Sequence, residues 1–280
     1  MKLSNIEKCW FPKTKITKEN IIDYYNDVSK YFLKHIKNHL VVLQRFPDGI
    51  DHDSFYQKQI SDYFPNFIKR KTIKLKTDGK QTLVIIDSKQ SLQYLVNQAT
   101  IVFHSWLSDA TTINNPDKIV FDLDPSTDDL KDLRFGAKQL QKILQSHNLT
   151  PYIMTTGSRG YHIVVPIIPH QTFETVHDFA KKIAAQLAAN YPDRFTITPT
   201  KSKRNGKVFI DYLRNSYGQT SVAPYSVRAL EGAPVATPIE WSELSKTKPQ
   251  KYTIKNIFRR LSIKGDAWKD FYKNAQHLKI

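Results

Sequence analysis

Residues 118–125 read Lys-Ile-Val-Phe-Asp-Leu-Asp-Pro, and this run limits the fold more than any other stretch. Ile119, Val120, Phe121 and Leu123 favour extended backbone, which Pro125 ends because it has no N–H for a sheet ladder. Side chains two apart on a strand share a face, so Asp122 and Asp124 point the same way, their Cα atoms about 6.5–7 Å apart. Two carboxylates that close repel each other and resist desolvation, and a divalent cation between them removes both costs. Taken alone, the pair reads more readily as a polar strand end, with Asp128 and Asp129 as further loop acids.

What surrounds the pair changes that weighting. The 280 residues carry 42 Lys plus Arg against 26 Asp plus Glu, a formal charge of +16, which calls for a polyanionic partner, most commonly nucleic acid. No basic amphipathic helix suggests a lipid surface, no apolar run approaches a membrane span, and residues 1–9 lack a signal-peptide core. A cytoplasmic protein is expected. Cys9 is the one cysteine, which excludes an internal disulfide and a cysteine zinc site.

Along the chain, Thr17 is expected to cap a helix to about His39, with Ile21, Tyr25, Val28, Phe32 and Ile36 inward. Lys8, Lys13, Lys15 and Lys18 before it read as a solvated basic segment from this stretch alone. Leu40 to Phe46 reads as a strand. Phe55 and Tyr56 are adjacent aromatics beside Lys58, and one of them is expected in the core. Thr72 to Asp87 reads as a hairpin turning at Asp78-Gly79, its approach carrying Lys69, Arg70, Lys71, Lys74 and Lys76. A short helix from Ser91 to Asn97 precedes a strand ending at His104, a residue that reads as a structural hydrogen-bonding group.

Beyond Asp124, Ser126 or Thr127 should cap a helix to about His147, with Leu130, Leu133, Ala137, Leu140 and Leu144 inward. A strand Tyr152–Thr155 leads into Thr156-Gly157-Ser158-Arg159-Gly160 and a strand from Tyr161. That turn suits a phosphate-holding nest and a plain hairpin equally. His162 would sit just inside it. A helix 173–190 follows, then a basic loop with Lys201, Lys203, Arg204 and Lys207, then an expected strand from Val208 to Arg214. Asp211 inside that apolar run is hard to explain unless paired. Helices are expected near 254–261 and 267–277. The alternation of strands and helices implies an α/β (α+β) chain with helices packed on mixed sheets.

Three aspartates on strands, without a cysteine cluster, suit a hard oxygen-preferring ion such as Mg²⁺ or Mn²⁺. Carboxylates holding two such ions serve in-line phosphoryl transfer, with Arg159, His162, Arg204 and Arg228 as candidate phosphate partners. This chemistry covers nucleotidyl transfer and nucleic-acid hydrolysis without separating them.

The ordered motifs Arg45-Phe46-Pro47-Asp48-Gly49, Phe55-Tyr56-Gln57-Lys58, His104-Ser105-Trp106, Asp122-Leu123-Asp124-Pro125, Thr156-Gly157-Ser158-Arg159-Gly160-Tyr161-His162, Asp211-Tyr212-Leu213-Arg214-Asn215 and Val222-Ala223-Pro224-Tyr225-Ser226-Val227-Arg228 resemble the polymerase domain of bacterial ligase D, in the archaeo-eukaryotic primase superfamily. The resemblance runs from Lys8 into the C-terminal segment. It implies a primase-like fold with an RRM-like catalytic core, Asp122, Asp124 and Asp211 as the catalytic and metal-binding triad, and two Mn²⁺ or Mg²⁺ ions. It further implies that Thr156, Ser158, Arg159, His162, Arg204, Arg228, His104 and Arg45 bind the nucleotide, that Lys8 and Lys18 hold a DNA 5′-phosphate, and that Phe55 and Tyr56 stack on the template. Arg159 stands where lysine is common in the family and Tyr56 where phenylalanine is common; both keep the chemistry.

The implied activity is template-directed nucleotide addition, preferring ribonucleotides, at DNA gaps or double-strand breaks with 5′-phosphorylated ends. NTP or dNTP would be substrate, and Ku and an ATP-dependent ligase would be partners, in a bacterial or archaeal nucleoid. A primase making primers de novo, or a catalytically inactive DNA-end binder, is the alternative. Residues 1–280 are expected to form one polymerase domain: about 1–100 shaping the DNA and 5′-phosphate side, 101–235 the metal-binding core, and 236–280 C-terminal helices. With no ligase or phosphoesterase segment, a stand-alone polymerase or an excised domain is expected.

Overall fold

The computed structural model describes residues 2–75 and 79–279. Lys76 and Asp78, assigned above to a hairpin approach and turn, lie outside the described residues. The chain gathers into two compact units: residues 1–111, 220–236 and 252–263 form the first, and residues 112–219, 237–251 and 264–280 form the second.

In the first unit, Thr17 caps the helix Lys18–Ile36 by accepting from the Asn20 N–H, and Asn20 answers through its own side chain. Ile21, Tyr25, Val28, Phe32 and Ile36 are all buried, as their 3.6-residue spacing requires. The helix stops at Ile36 rather than His39, because Asn38 takes a left-handed turn (φ 64°) and His39 opens the next strand. The sheet runs Thr220–Val222, Thr100–Asp109, His39–Arg45, Lys80–Ile85, Lys69–Lys74, with the three-residue strand Phe55–Gln57 added beside the far end of His39–Arg45.

In the second unit the sheet order is Phe195–Thr196, Val208–Asp211, Lys118–Asp124, Tyr161–Pro166, Tyr152–Thr155, Thr237–Ile239. Only the first pair is parallel. Helices Leu130–Ser146 and Phe173–Asn190 pack on each other and on the central strands. The first is capped by Asp129, whose carboxylate accepts from the Lys131 N–H at 2.8 Å, not by Ser126 or Thr127. Ser126 is engaged elsewhere, donating to the Lys207 carbonyl at 2.6 Å. Leu130, now the first helical residue, is only half-buried.

Two expected elements are shorter. The strand from Val208 ends at Asp211, where the Asp211 carboxylate accepts from the Leu213 N–H at 2.9 Å and turns the chain into a 3₁₀ segment, Leu213–Asn215. At the C-terminus the α-helix is Ile257–Lys264, and residues 267–277 form turns and one 3₁₀ segment, Tyr272–Asn274. Asp266 caps Trp268 N–H there, and Trp268 stacks on Phe271 at 4.9 Å, so local ring packing replaces helical pairing.

Candidate active site

Strand register builds the centre of the second unit. On Lys118–Asp124, Asp122 lies directly opposite His162 on one side and Asp211 on the other. Residues opposite each other on antiparallel strands share a face, so the three side chains converge. His162 Nε2 stands 3.4 Å from Asp122 Oδ2. The Arg214 guanidinium reaches the same oxygen at 3.2 Å and Asp211 Oδ2 at 3.7 Å, linking the two carboxylates.

Electrostatics separate the two acids. Burial pushes the Asp122 carboxyl up, but His162 and Arg214 together outweigh it and bring its pKa down from 3.8 to about 2. Burial also pushes Asp211 up; Arg214 pulls it back, the neighbouring Asp122 charge adds to the rise, and the result stays above the ordinary value. Asp124, two residues along from Asp122, pairs with Arg204 at 2.7 Å. Arg204 is itself buried, donates to the Pro199 carbonyl at 2.9 Å and lies over the Phe209 ring at 4.2 Å.

Among the described residues, no group of three or more His, Cys, Asp or Glu side chains is arranged to hold a metal. The donor chemistry nevertheless fits a hard cation. The candidates are carboxylate oxygens on neighbouring strands of one sheet, and Asp122 is held ionised.

The turn after Tyr152–Thr155 is locked from within. The Thr156 hydroxyl accepts from the Ser158 and Gly160 N–H groups at 3.2 Å and donates to the Gly160 carbonyl at 3.1 Å. Those two amides are therefore already engaged. Gly157 takes φ 65°, and a Cβ on Gly160 would collide with the Leu123 carbonyl of the adjacent strand. Arg159 donates to the Pro125 carbonyl at 3.0 Å, beside a cavity of 270 Å³ lined by Pro125, Thr127, Ser158, Arg159 and Lys248 among others.

Asp122, Asp124, Asp211, Thr156, Ser158, Arg159, His162 and Arg204 all belong to the second unit; Lys8, Lys18, Arg45, Phe55, Tyr56, His104 and Arg228 belong to the first. Phe55 and Tyr56 are 46% and 57% exposed, against the expectation that one would be core. They lie on a short edge strand, so neither face is covered by a packed layer. Arg45 lies over Phe55 at 5.3 Å, and the half-buried His104 ring faces Tyr56 at 5.6 Å. Lys8 pairs with Asp48 at 2.5 Å. Lys18 is 4% exposed, donates to the Ser4 carbonyl at 2.7 Å, and has its pKa lowered by burial and by Lys8.

Arg214 and Asn215 were missed as site residues. The signal was an arginine three places after an acid that ends a strand, a spacing that folds back only if the chain turns at once. Asn215 is fully buried behind the DxD strand, its carboxamide bonded to the Val120 backbone.

The family model for LigD, primase-polymerase domain, matches residues 17–268. The chain is 33% identical over 279 residues to the bifunctional non-homologous end joining protein LigD of Bacillus subtilis, covering 99% of this chain and 45% of that protein. It is 30% identical to the multifunctional non-homologous end joining protein LigD of Mycolicibacterium smegmatis, covering 95% and 35%. It thus spans less than half the length of these relatives. Among solved structures, the polymerase domain from Mycobacterium tuberculosis ligase D in complex with DNA matches with a TM-score of 0.91 and 30% identity, over 98% of this chain and 99% of that one. The fold is archaeo-eukaryotic primase-like, an α/β arrangement of sheets and helices.

Proposed function

The chain belongs to the LigD primase-polymerase family, and from that premise we propose that it is a template-directed, metal-dependent nucleotidyltransferase. It would fill gaps or extend ends at DNA double-strand breaks, preferring ribonucleotides. The observation that supports this most is the direct cross-strand pairing of Asp122 with both Asp211 and His162. It sets two carboxylates of opposite pKa tendency beside an imidazole on one sheet face.

In this reading Asp122, Asp124 and Asp211 would hold two Mn²⁺ or Mg²⁺ ions, which would supply charge neutralisation for in-line phosphoryl transfer. His162 and Arg214 keep Asp122 ionised at working pH. Ser158, Arg159 and Arg204 offer positive or hydrogen-bonding groups to a triphosphate, and Arg45, His104 and Arg228 are the nucleotide-binding candidates that the first unit carries by itself. Phe55 and Tyr56 offer exposed rings to template bases, and Lys8 with Lys18 offers charge to a 5′-phosphate. Ku and an ATP-dependent ligase are the proposed partners.

Primer extension on a gapped duplex, with NTP or dNTP and Mn²⁺, tests the reading. Asp122→Ala or Asp211→Ala should abolish extension while leaving DNA binding nearly intact; extension retained by either variant would sink it. A second reading, a non-catalytic end binder, is favoured by the arginines already paired with Asp122 and Asp124. It requires that no metal-dependent incorporation occurs at all.

A further inference from the structure

Beyond Phe55 and Tyr56, the first unit displays two more rings, Tyr63 at 60% and Phe67 at 39% exposure. Both sit on a segment that is fixed rather than loose. Phe64 and Ile68, the next residue after each ring, are buried as anchors, and backbone turns close at Phe64 N–H to Ser61 and at Ile68 N–H to Pro65. Arg70 then ties the segment down, donating to the carbonyls of Phe64, Pro65 and Ile68 at 3.0–3.3 Å. The fold therefore holds Tyr63 and Phe67 outward against the hydrophobic effect, which would otherwise favour their burial.

Arg45 joins this display to the edge strand. It lies over Phe55 at 5.3 Å and donates to the Tyr63 hydroxyl at 3.1 Å, while Tyr94 meets Phe67 edge-on at 5.7 Å. Register puts Phe55 opposite Arg45, whereas the next residue, Tyr56, faces His104 on the other side of the strand. One strand edge thus carries two separate aromatic faces.

We propose that Tyr63 and Phe67, gathered with Phe55 around Arg45, carry the Phe55 ring on into a stacking track for unpaired nucleic acid that is separate from the Tyr56–His104 face. Ring faces bind bases without sequence preference, and a guanidinium interleaved among them supplies the charge complement. The strongly basic chain favours this occupant over an apolar protein surface. The proposal rests on the polymerase reading for the role of Phe55 and for the source of the strand, the unpaired template beside a gap; Tyr63 and Phe67 rest on their own geometry.

Fluorescence anisotropy of the whole chain, with oligothymidylate of increasing length and a blunt duplex as control, tests it. Tyr63→Ala and Phe67→Ala should each weaken oligothymidylate binding about tenfold and leave the blunt duplex unchanged. Tyr63→Leu, which keeps apolar bulk without a ring, should behave like the alanine variant. Wild-type binding by both ring variants, or an equal loss on the blunt duplex, would overturn the track. Primer extension separates the two ideas: ring-independent binding with intact extension removes only the track, whereas ring-dependent binding without any extension by the unaltered chain removes only the polymerase.

Discussion

The side chain of Asn215 pairs with both backbone groups of Val120: the Val120 N–H donates to its Oδ1 at 2.8 Å, and its Nδ2 donates to the Val120 carbonyl at 2.7 Å. The strand Val208–Asp211 stops beside Asp122, and one carboxamide continues its ladder by one more rung. A side-chain amide has the same donor and acceptor as a peptide, so it can stand in for the missing strand residue.

Asn215→Ala should accordingly be costly. It leaves a buried donor and a buried acceptor without partners, each worth about 1–3 kcal/mol. Urea denaturation should show a loss of about 2–4 kcal/mol, and extension should fall further than stability explains, since Asp122 is two residues away. Asn215→Asp should be no better than alanine, because its second carboxylate oxygen would face the Val120 and Tyr212 carbonyls and bury a charge.

Neutralising the two central acids should move stability in opposite directions. Asp122, held at about 2 against an ordinary 3.8, contributes about 2 kcal/mol that is present above 3.8 and lost as pH falls through 2. Asp211, whose folded pKa is raised, stabilises only while protonated, and that contribution is lost as pH rises through its folded value. At pH 7 Asp122→Asn should therefore lower the melting temperature and Asp211→Asn should raise it, while both abolish extension. Calorimetry showing the same sign for both would disprove the assignment of Arg214 and His162 to Asp122.

Gly160→Ala should be worse than Gly157→Ala. The first drives a Cβ into the backbone carbonyl of Leu123, which has no rotamer to yield, and overpacking of this kind costs about 1–3 kcal/mol. The second strains only a left-handed turn, at about 1 kcal/mol. Because Leu123 lies between the two aspartates, Gly160→Ala should also cut extension by more than tenfold, measured at saturating nucleotide.

The lysine pair should divide its labour. Lys8→Ala should remove preference for 5′-phosphorylated gaps with little change in stability, since its ion pair with Asp48 is exposed. Lys18→Ala should lose the same preference and destabilise the fold as well, because its buried ammonium holds the Ser4 carbonyl. Lys18 also loses its charge at lower pH than an ordinary lysine, so the phosphate preference should fade early on the alkaline side. Binding titrations on phosphorylated and unphosphorylated gaps, repeated with rising pH, check both points.

Periodicity made the helices at 18–36 and 173–190 legible, and alternation made the strand that carries Asp122 and Asp124 legible, because both signals are written in neighbouring residues. Other features depend on residues far apart in the chain. Phe55 and Tyr56 are exposed only because their strand lies at an edge, which no pattern within residues 54–58 encodes. Ser126, a cap candidate by sequence, is taken up by the Lys207 carbonyl, 81 residues away, while Asp129 caps the helix. Arg204 was recognisable as a basic loop residue, but its hold on Asp124 needed the loop to return across the sheet.

The pairing of Asp122 with His162 and Asp211 gives the centre an all-or-none character. A sheet repeats every two residues, so a single insertion or deletion within Lys118–Asp124, Tyr161–Pro166 or Val208–Asp211 turns every side chain beyond it to the opposite face. Such a change cannot weaken the centre by degrees; it dismantles it. The centre therefore rests on the lengths of these three strands as much as on the residues they carry.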